Sequence, residues 1–173
     1  MNEFWNDQIE VGYYDKIVQN GIIEKRGPRS YWHLTTLLKV GEYLKNVNSY
    51  HLDYACGPGT LIGNFSKSKS IGVDISSKQI DYALMNYKKN GVFLTTDNFN
   101  FKDYKQSFDV ITVLGLIEFL NDDEILKLIE KLSFTLKSKK SILLTTPNFF
   151  GITRVLELLQ NKFGSVNYQE EHI

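Results

Sequence analysis

Two carboxylates and a glycine-rich turn are the residues whose types and spacing could bind a ligand. Asp53 lies four positions before Gly57, Gly59 follows two positions later, and Asp74 lies 21 positions beyond Asp53. Glycines at a turn let a ligand approach the backbone closely, because no Cβ stands in the way. A carboxylate at Asp74 can accept hydrogen bonds from both hydroxyl groups of a ribose. The spacing therefore predicts a site for a nucleoside.

The charge of Asp53 favours one kind of nucleoside over another. A dinucleotide-binding turn follows the pattern G-x-G-x-x-G, but Ile62 occupies the third glycine position here. A carboxylate beside a pyrophosphate would repel it, whereas the same carboxylate would attract the ammonium group of an amino acid. The residues therefore favour a nucleoside that carries an amino acid. Further along, Asp97-Asn98-Phe99 could bind and cover an adenine, and Leu114-Gly115 follows the next apolar run.

Five short apolar runs must position these residues, and stretches of helical periodicity alternate with the runs. The runs span residues 50–55, 70–75, 92–96, 109–114 and 141–146. Ser76 and Asn121 stand where helix N-caps are expected. This alternation predicts right-handed βαβ units, and hence a doubly wound α/β fold with a mostly parallel sheet of about five strands. Ligands bind such sheets at the carboxyl ends of the strands, where the candidate residues fall.

The chain of 173 residues suits a single domain. Residues 1–48 are rich in aromatic side chains and contain a helical pattern, so they predict a helical cap packed on the sheet. Residues 49–147 form the predicted core, and residues 148–173 have room for a C-terminal helix and a tail. We therefore expect one domain made of these three segments.

Composition excludes several classes of function. Lys plus Arg and Asp plus Glu each number 20, a balance that argues against a nucleic-acid partner. Cys56 is the single cysteine, so an internal disulfide and a cysteine-rich zinc site are both excluded. The apolar runs are far shorter than the ~20 residues that span a bilayer, and residues 1–15 lack the pattern of a signal peptide. We expect a cytoplasmic protein with neither a membrane nor a nucleic-acid partner.

The motifs together resemble those of the class I S-adenosylmethionine-dependent methyltransferases, over residues 50–147. The matching segments are Asp53-x-x-Cys56-Gly57-x-Gly59, Gly72-Val73-Asp74-Ile75-Ser76, Phe108-Asp109-Val110-Ile111 and Leu116-Ile117-Glu118-Phe119-Leu120. The resemblance implies a Rossmann-like sheet and S-adenosyl-L-methionine as the cofactor, with S-adenosyl-L-homocysteine as the product. It also implies methyl transfer to a small-molecule acceptor by in-line displacement, without a metal.

The same resemblance implies the roles of individual residues toward the cofactor. Asp53 and Gly57 hold the methionine end, in a turn that Ala55 and Gly59 complete. Asp74 holds the ribose, with Ile75 against the adenine; Asp97 and Asn98 meet the adenine amino group, and Leu114 and Gly115 line the sulfonium side. Arg29 and His33 resemble a basic segment that approaches the cofactor carboxylate. The motifs identify neither a catalytic residue nor the acceptor.

The resemblance breaks off after Pro147. Relatives continue with an antiparallel strand pair, one strand of which lies beside the fifth strand. We therefore expect a truncated chain whose fifth strand is an unpaired edge, which either pairs with a second copy of the chain or is covered by the C-terminal helix. Two alternatives to a methyltransferase stay open. One is a non-catalytic cofactor-binding fragment without a complete acceptor site, and the other is a nicotinamide-dependent oxidoreductase, which Asp53 and Ile62 disfavour.

Overall fold

The computed structural model describes residues 9–24 and 28–146, and the side chains of residues 23, 24 and 28–30 lie outside that description. The helices are α1 (Tyr13–Glu24), α2 (Pro28–Tyr43), α3 (Thr60–Asn64), α4 (Ser77–Tyr87) and α5 (Asp122–Thr135). The strands are β1 (Tyr50–Tyr54), β2 (Lys69–Asp74), β3 (Val92–Thr95), β4 (Phe108–Leu114) and β5 (Leu136–Thr145). Short 3₁₀ turns span Thr96–Asn98, Phe101–Tyr104 and Ile117–Phe119.

All five strands are parallel and lie in the order β3-β2-β1-β4-β5. The chain starts the sheet in its middle, builds outward through β2 and β3, and then returns to add β4 and β5 on the other side. The strand order therefore reverses between β1 and β4, which makes the carboxyl end of β1 the topological switch point of the sheet. The predicted doubly wound α/β fold, with helices at the N-terminus, is confirmed.

Helices cover both faces of the sheet. One face carries Leu52, Ile71 and Ile111, which pack against Leu128 and Leu132 of α5. On the opposite face, two smaller clusters join α2 to α3 and α3 to α4. Because the central strands are buried on both faces, their sequences are near-continuous apolar runs.

Local signals set the start of two helices. The Ser76 hydroxyl accepts a hydrogen bond from the Gln79 amide, so Ser76 is the N-cap of α4. Asn121 forms a capping box with Glu124 at the start of α5, with both hydrogen bonds 3.0 Å long. Both N-caps are those that the sequence predicts.

The last strand begins earlier than its apolar run. The sequence predicts a strand over residues 141–146, whereas β5 starts at Leu136, directly after α5. Lys139 adopts a left-handed backbone conformation with φ of 61°, and the pairing of β5 with β4 shifts register between Phe108 and Val110. This bulge lets polar residues 137–140 join the strand. Because these residues are polar, the apolar pattern of the sequence does not predict them as part of a strand.

The two N-terminal helices contact different parts of the domain. Helix α2 packs on the sheet through Val40 and Leu44. The segment before α1 is bound to α4, because the Gly12 amide donates to Gln79 Oε1 at 3.1 Å and Gln79 Nε2 donates to the Glu10 carbonyl at 3.2 Å. Division of the chain into segments at residues 48 and 147 stays a prediction, and residues 148–173 lie outside the described residues.

Strand β5 lies at one edge of the sheet formed by the described residues. Pairing of this edge with a second copy stays a prediction, which a solution mass above 20.0 kDa would support. No helix within residues 9–24 and 28–146 combines the length and the apolar character needed to cross a membrane. The same residues contain no group of three or more His, Cys, Asp or Glu side chains that could hold a metal ion.

Candidate functional site

The turn after β1 folds over the end of β2. The two predicted carboxylates lie together at the carboxyl ends of these strands. Asp53 pairs in register with Gly72, and the Cys56 amide donates to the Val73 carbonyl at 3.0 Å. The Gly57 amide then donates to Asp74 Oδ2 at 2.8 Å. The glycine-rich turn is therefore bound directly to the carboxylate at the end of the neighbouring strand.

Three residues of this turn have left-handed backbone conformations, with φ of 65° at Ala55, 51° at Gly57 and 77° at Gly59. A Cβ added at Gly57 would meet no atom within 4 Å, so open space lies above this residue. A Cβ at Gly59 would instead lie 2.7 Å from the Phe93 ring. Gly57 therefore leaves room for a ligand at the backbone, whereas Gly59 allows close packing beneath the turn.

Asp53 is buried, with 2% of the residue exposed. The Thr112 hydroxyl on β4 donates a hydrogen bond of 2.6 Å to Asp53 Oδ1. Burial raises the pKa of Asp53 to about 7, while the Thr112 hydrogen bond opposes this rise and the charge of Asp74 adds to it. Ionised Asp53 is therefore a buried anion that an ammonium group would stabilise.

The Asp74 carboxylate is 9% exposed, and backbone amides bind both of its oxygens. Gly57 donates to Oδ2 and Ser76 donates to Oδ1, each at 2.8 Å. Burial raises the pKa of Asp74, and these backbone hydrogen bonds act against that rise. Because an ionised carboxylate has about four acceptor positions, Asp74 keeps capacity to accept hydrogen bonds from a ligand.

The other predicted residues occupy the ends of the same strands. Ile75 follows Asp74 and is 36% exposed. Asp97 and Asn98 are exposed in the turn after β3, where Asn98 Nδ2 donates to Thr95 Oγ1 at 2.9 Å. At the end of β4, half-buried Leu114 packs on the cluster that contains Leu61. Gly115 is exposed, with φ of 67°.

The basic segment of the N-terminal cap lies on α2. Arg29 belongs to the first turn of this helix, and its side chain is outside the described part of the chain. The His33 ring is half-buried and meets the ring of Tyr14 edge-on, at a centroid distance of 5.6 Å. Contact of either residue with a cofactor stays a prediction.

Sequence reasoning missed two hydroxyl groups at this edge of the sheet. Thr112 holds Asp53, and its only sequence signal is a polar residue inside the fourth apolar run. Thr60 follows the glycine turn at the start of α3. Its Oγ1 is buried, and no hydrogen-bond partner for it lies within the described segments. Because buried hydroxyl groups normally have a hydrogen-bond partner, Thr60 is a candidate contact for a polar group of a ligand.

These features fit a nucleoside that carries an amino acid. Open space lies above Gly57, and the amide of this residue binds a carboxylate, Asp74, with capacity for two hydroxyl groups. Asp53, four positions earlier at the end of β1, is a buried anion that suits an ammonium group. The Thr60 hydroxyl adds an unused polar group beside the turn. S-adenosylmethionine contains the ammonium group, the ribose hydroxyls and the adenine that this arrangement can bind.

A family model described as a methyltransferase domain matches residues 52–139, slightly more than half of the chain. The match starts within β1 and ends within β5, so it includes β2, β3 and β4 in full, parts of β1 and β5, and the residues Asp53, Asp74 and Gly115. No curated protein sequence matches the chain.

Solved structures share the fold at low sequence identity. Magnesium protoporphyrin IX methyltransferase from Synechocystis PCC 6803, solved with bound S-adenosylhomocysteine, is 18% identical with a TM-score of 0.67, over 94% of this chain and 77% of that one. The YcgJ protein of Bacillus subtilis is 20% identical with a TM-score of 0.55, over 75% of this chain and 57% of that one.

A third structure is a SAM-dependent methyltransferase from Thiobacillus denitrificans in complex with S-adenosylhomocysteine. It is 19% identical with a TM-score of 0.52, over 64% of this chain and 47% of that one. The present chain thus spans about half the length of the Bacillus and Thiobacillus proteins. The family model and the shared fold agree with the motifs at the strand ends: the chain belongs to the methyltransferase domain family, as its resemblance to the class I S-adenosylmethionine-dependent methyltransferases predicts.

Proposed function

We propose that this domain binds S-adenosylmethionine above Gly57 and transfers its methyl group to a small-molecule acceptor. The observation that carries the proposal is the open, left-handed turn at Gly57 between the buried carboxylates of Asp53 and Asp74. The structurally similar Synechocystis protein is a methyltransferase of magnesium protoporphyrin IX, a small molecule, which supports the class of acceptor.

Each part of the cofactor has a counterpart among the residues at the strand tips. The ammonium group would bind Asp53, and the ribose hydroxyls would bind Asp74. Ile75, with Asp97 and Asn98 after β3, would surround the adenine. Leu114 and Gly115 would lie on the side of the sulfur, and Arg29 and His33 would approach the cofactor carboxylate. The contributions of Arg29 and His33 rest on the resemblance to the family alone.

The protein's own contribution to the reaction is to bind the cofactor and the acceptor and to orient them toward each other. S-adenosylmethionine would supply a methyl group on a sulfonium: the acceptor's nucleophile would bond to the methyl carbon as its bond to sulfur breaks in line, and S-adenosylhomocysteine would leave. Holding two reactants in the productive geometry can lower a barrier by roughly 7–11 kcal/mol in favourable cases. Asp53 and Asp74 fix the two ends of the cofactor while staying outside the reaction itself. A general base is required only for an acceptor that must lose a proton, such as a hydroxyl group.

Titration calorimetry tests cofactor binding directly. We expect the protein to bind S-adenosylhomocysteine and not NAD, because Asp53 would repel a pyrophosphate. The double variant Asp53→Ala with Asp74→Ala should lose affinity by at least about a hundredfold, since two hydrogen bonds to charged groups are removed. Asp81→Ala, at an exposed carboxylate on α4, is the matched control. Unchanged affinity in the double variant would refute the proposed site.

Methyl transfer to a panel of acceptors separates the methyltransferase from a non-catalytic cofactor-binding fragment. Cofactor binding without transfer to any acceptor on the panel would favour the fragment. We also propose that the protein is cytoplasmic, in keeping with a small-molecule acceptor, and cell fractionation would test this location.

A further inference from the structure

A chain of buried polar side chains runs across the sheet from Asp53 to Ser70. Thr112 Oγ1 lies 2.6 Å from Asp53 Oδ1, and His51 Nε2 lies 2.8 Å from Thr112 Oγ1. His51 Nδ1 in turn lies 3.0 Å from Ser70 Oγ. None of the four residues is more than 3% exposed. We call this set the Asp53–Ser70 chain.

Strand register places these groups together. His51 and Asp53 are two positions apart on β1, so their side chains leave the same face of the sheet. The register pairs His51 with Ser70 on β2 and Asp53 with Thr112 on β4. Next to Thr112 along β4, Val110 packs on an apolar cluster from α2 and α3. The Asp53–Ser70 chain is therefore shielded from water, where hydrogen bonds polarise one another.

Each hydroxyl in the chain has one proton to donate, so all its hydrogen bonds must point in one direction. If Asp53 is protonated, it donates to Thr112, and Thr112 donates to His51 Nε2. His51 then carries its proton on Nδ1 and donates it to Ser70. Ser70 Oγ completes this direction by donating to the Ser68 carbonyl at 3.0 Å.

If Asp53 is ionised, every bond in the chain reverses. Ser70 donates to His51 Nδ1, His51 Nε2–H donates to Thr112, and Thr112 donates to the Asp53 carboxylate. Ser70 Oγ can then accept from Ser66 Oγ, which lies 3.0 Å away. The two directions therefore differ in which ring nitrogen of His51 carries the proton.

We propose that an ammonium group bound at Asp53 reverses the Asp53–Ser70 chain, which makes His51 a positioning residue whose tautomer holds this carboxylate as a hydrogen-bond acceptor. The inference rests on the proposed function, because the ammonium group is that of S-adenosylmethionine. His51 acts through Thr112 and does not touch the cofactor.

The reversal releases one proton. The proton of Asp53 moves to Thr112 Oγ1, and the former Thr112 proton moves to His51 Nε2. The proton on His51 Nδ1 moves to Ser70 Oγ, and the former Ser70 proton leaves to water. Ser66 Oγ lies 3.0 Å from Ser70 Oγ, and Ser66 is only half-buried, so its hydroxyl gives that proton a route to solvent.

The charge states of the groups around Asp53 suit such a switch. Burial raises the pKa of Asp53 to about 7 and lowers the pKa of His51 to about 3, so His51 stays neutral while Asp53 titrates. Asp74 on β2 raises the pKa of Asp53 further. The Cys56 thiol in the turn has a pKa well above its ordinary value because of burial, so it stays neutral. Helices α2 and α3 contribute the apolar side chains of Val40, Leu44 and Leu61 to this face.

Long-range ¹⁵N NMR of the His51 ring tests the reversal, with His51→Gln used to identify the signal. In the free protein we expect the Nδ1–H tautomer at pH 6 and the Nε2–H tautomer at pH 8.5, with a transition near the pKa of Asp53. At pH 6, S-adenosylhomocysteine should produce the Nε2–H tautomer. Methylthioadenosine, which lacks the amino-acid portion, should leave the Nδ1–H tautomer in place.

Variants of Thr112 supply the second measurement. Thr112→Val should abolish the tautomer change and weaken S-adenosylhomocysteine binding about tenfold, the effect of one lost hydrogen bond to a charged group. Thr112→Ser should restore both. Thr135→Val is the control, because Thr135 is equally buried and its hydroxyl donates to the Leu132 carbonyl, outside the Asp53–Ser70 chain.

The outcomes separate this inference from the proposed function. If S-adenosylhomocysteine binds and the His51 tautomer stays the same, the inference is overturned and the proposed function stands. An equal change with methylthioadenosine, or a change that persists in Thr112→Val, would also overturn it. If S-adenosylhomocysteine does not bind the natural protein at either pH, both fail.

Discussion

Asp53 and Asp74 lie at the tips of neighbouring strands, yet different parts of the chain hold their carboxylates. Backbone amides of Gly57 and Ser76 bind Asp74, and Ser76 is two residues away in sequence. A single side chain on β4, 59 positions away, binds Asp53. Backbone amides of the turns after β1 and β2 therefore fix the orientation of Asp74. The protonation state of Asp53 depends on a contact between strands that are neighbours in the sheet but distant in sequence. This protonation state can respond to a ligand.

Replacing each carboxylate with the neutral amide of Asn tests this difference most directly. We expect the two substitutions to change stability in opposite directions. In Asp74→Asn the side-chain amide must face a buried backbone N–H, so the free energy of unfolding should fall by about 1–3 kcal/mol. In Asp53→Asn the side-chain oxygen can still accept from Thr112, and a buried charge is lost. At pH 8 we therefore expect a gain of roughly 1–3 kcal/mol.

Urea denaturation at pH 8 measures both values. The exposed Asp81→Asn on α4 is the control and should change stability little. If both variants lost a similar free energy of unfolding, the two carboxylates would be stabilised in the same way, and the contrast between them would be wrong.

The same difference explains which contacts of Asp53 and Asp74 can be predicted from the sequence. The apolar runs and the N-caps are local signals, so the sequence predicts the parallel sheet and the starts of α4 and α5. The order of the strands and the hydrogen bond between Gly57 and Asp74 come from the structure alone. The Thr112 bond to Asp53 depends on strands that are distant in sequence, and no spacing rule reveals it. The early start of β5 was missed for a related reason, because residues 137–140 join the strand through a bulge rather than an apolar pattern.

The pH dependence of stability should reveal the opposed titrations of His51 and Asp53. The pKa of His51 is lowered to about 3, so its contribution to stability is present above its ordinary value of 6.5 and is lost as the pH falls toward 3. The pKa of Asp53 is raised to about 7, so its contribution is present below 3.8 and is lost as the pH rises through 7. Between these limits the two slopes oppose each other.

We therefore expect Asp53→Asn to remove one of the two slopes. Its free energy of unfolding should rise by roughly 2–3 kcal/mol between pH 4 and pH 6.5, since the His51 titration remains and the opposing Asp53 titration is gone. The natural protein should change less over the same interval. Denaturation at a series of pH values in one buffer mixture provides the comparison. Equal slopes for the two proteins would mean that Asp53 does not titrate in this window.

The backbone at the two tips differs as well, and this difference predicts the smallest effect. Ala55, after β1, has a left-handed φ of 65°, a conformation that costs a residue with a Cβ about 1–2 kcal/mol. Glycine avoids this strain but loses more chain entropy on folding, a penalty of roughly 0.4–1 kcal/mol. Ala55→Gly should therefore stabilise the protein by about 0.5–1 kcal/mol, the difference between these two effects. Thermal denaturation measures this gain, and Ala83→Gly in α4 should lower stability by about 1 kcal/mol or more, because its backbone is helical. A loss of stability in Ala55→Gly would show that the strain at the tip of β1 is relieved by contacts of the Ala55 methyl group.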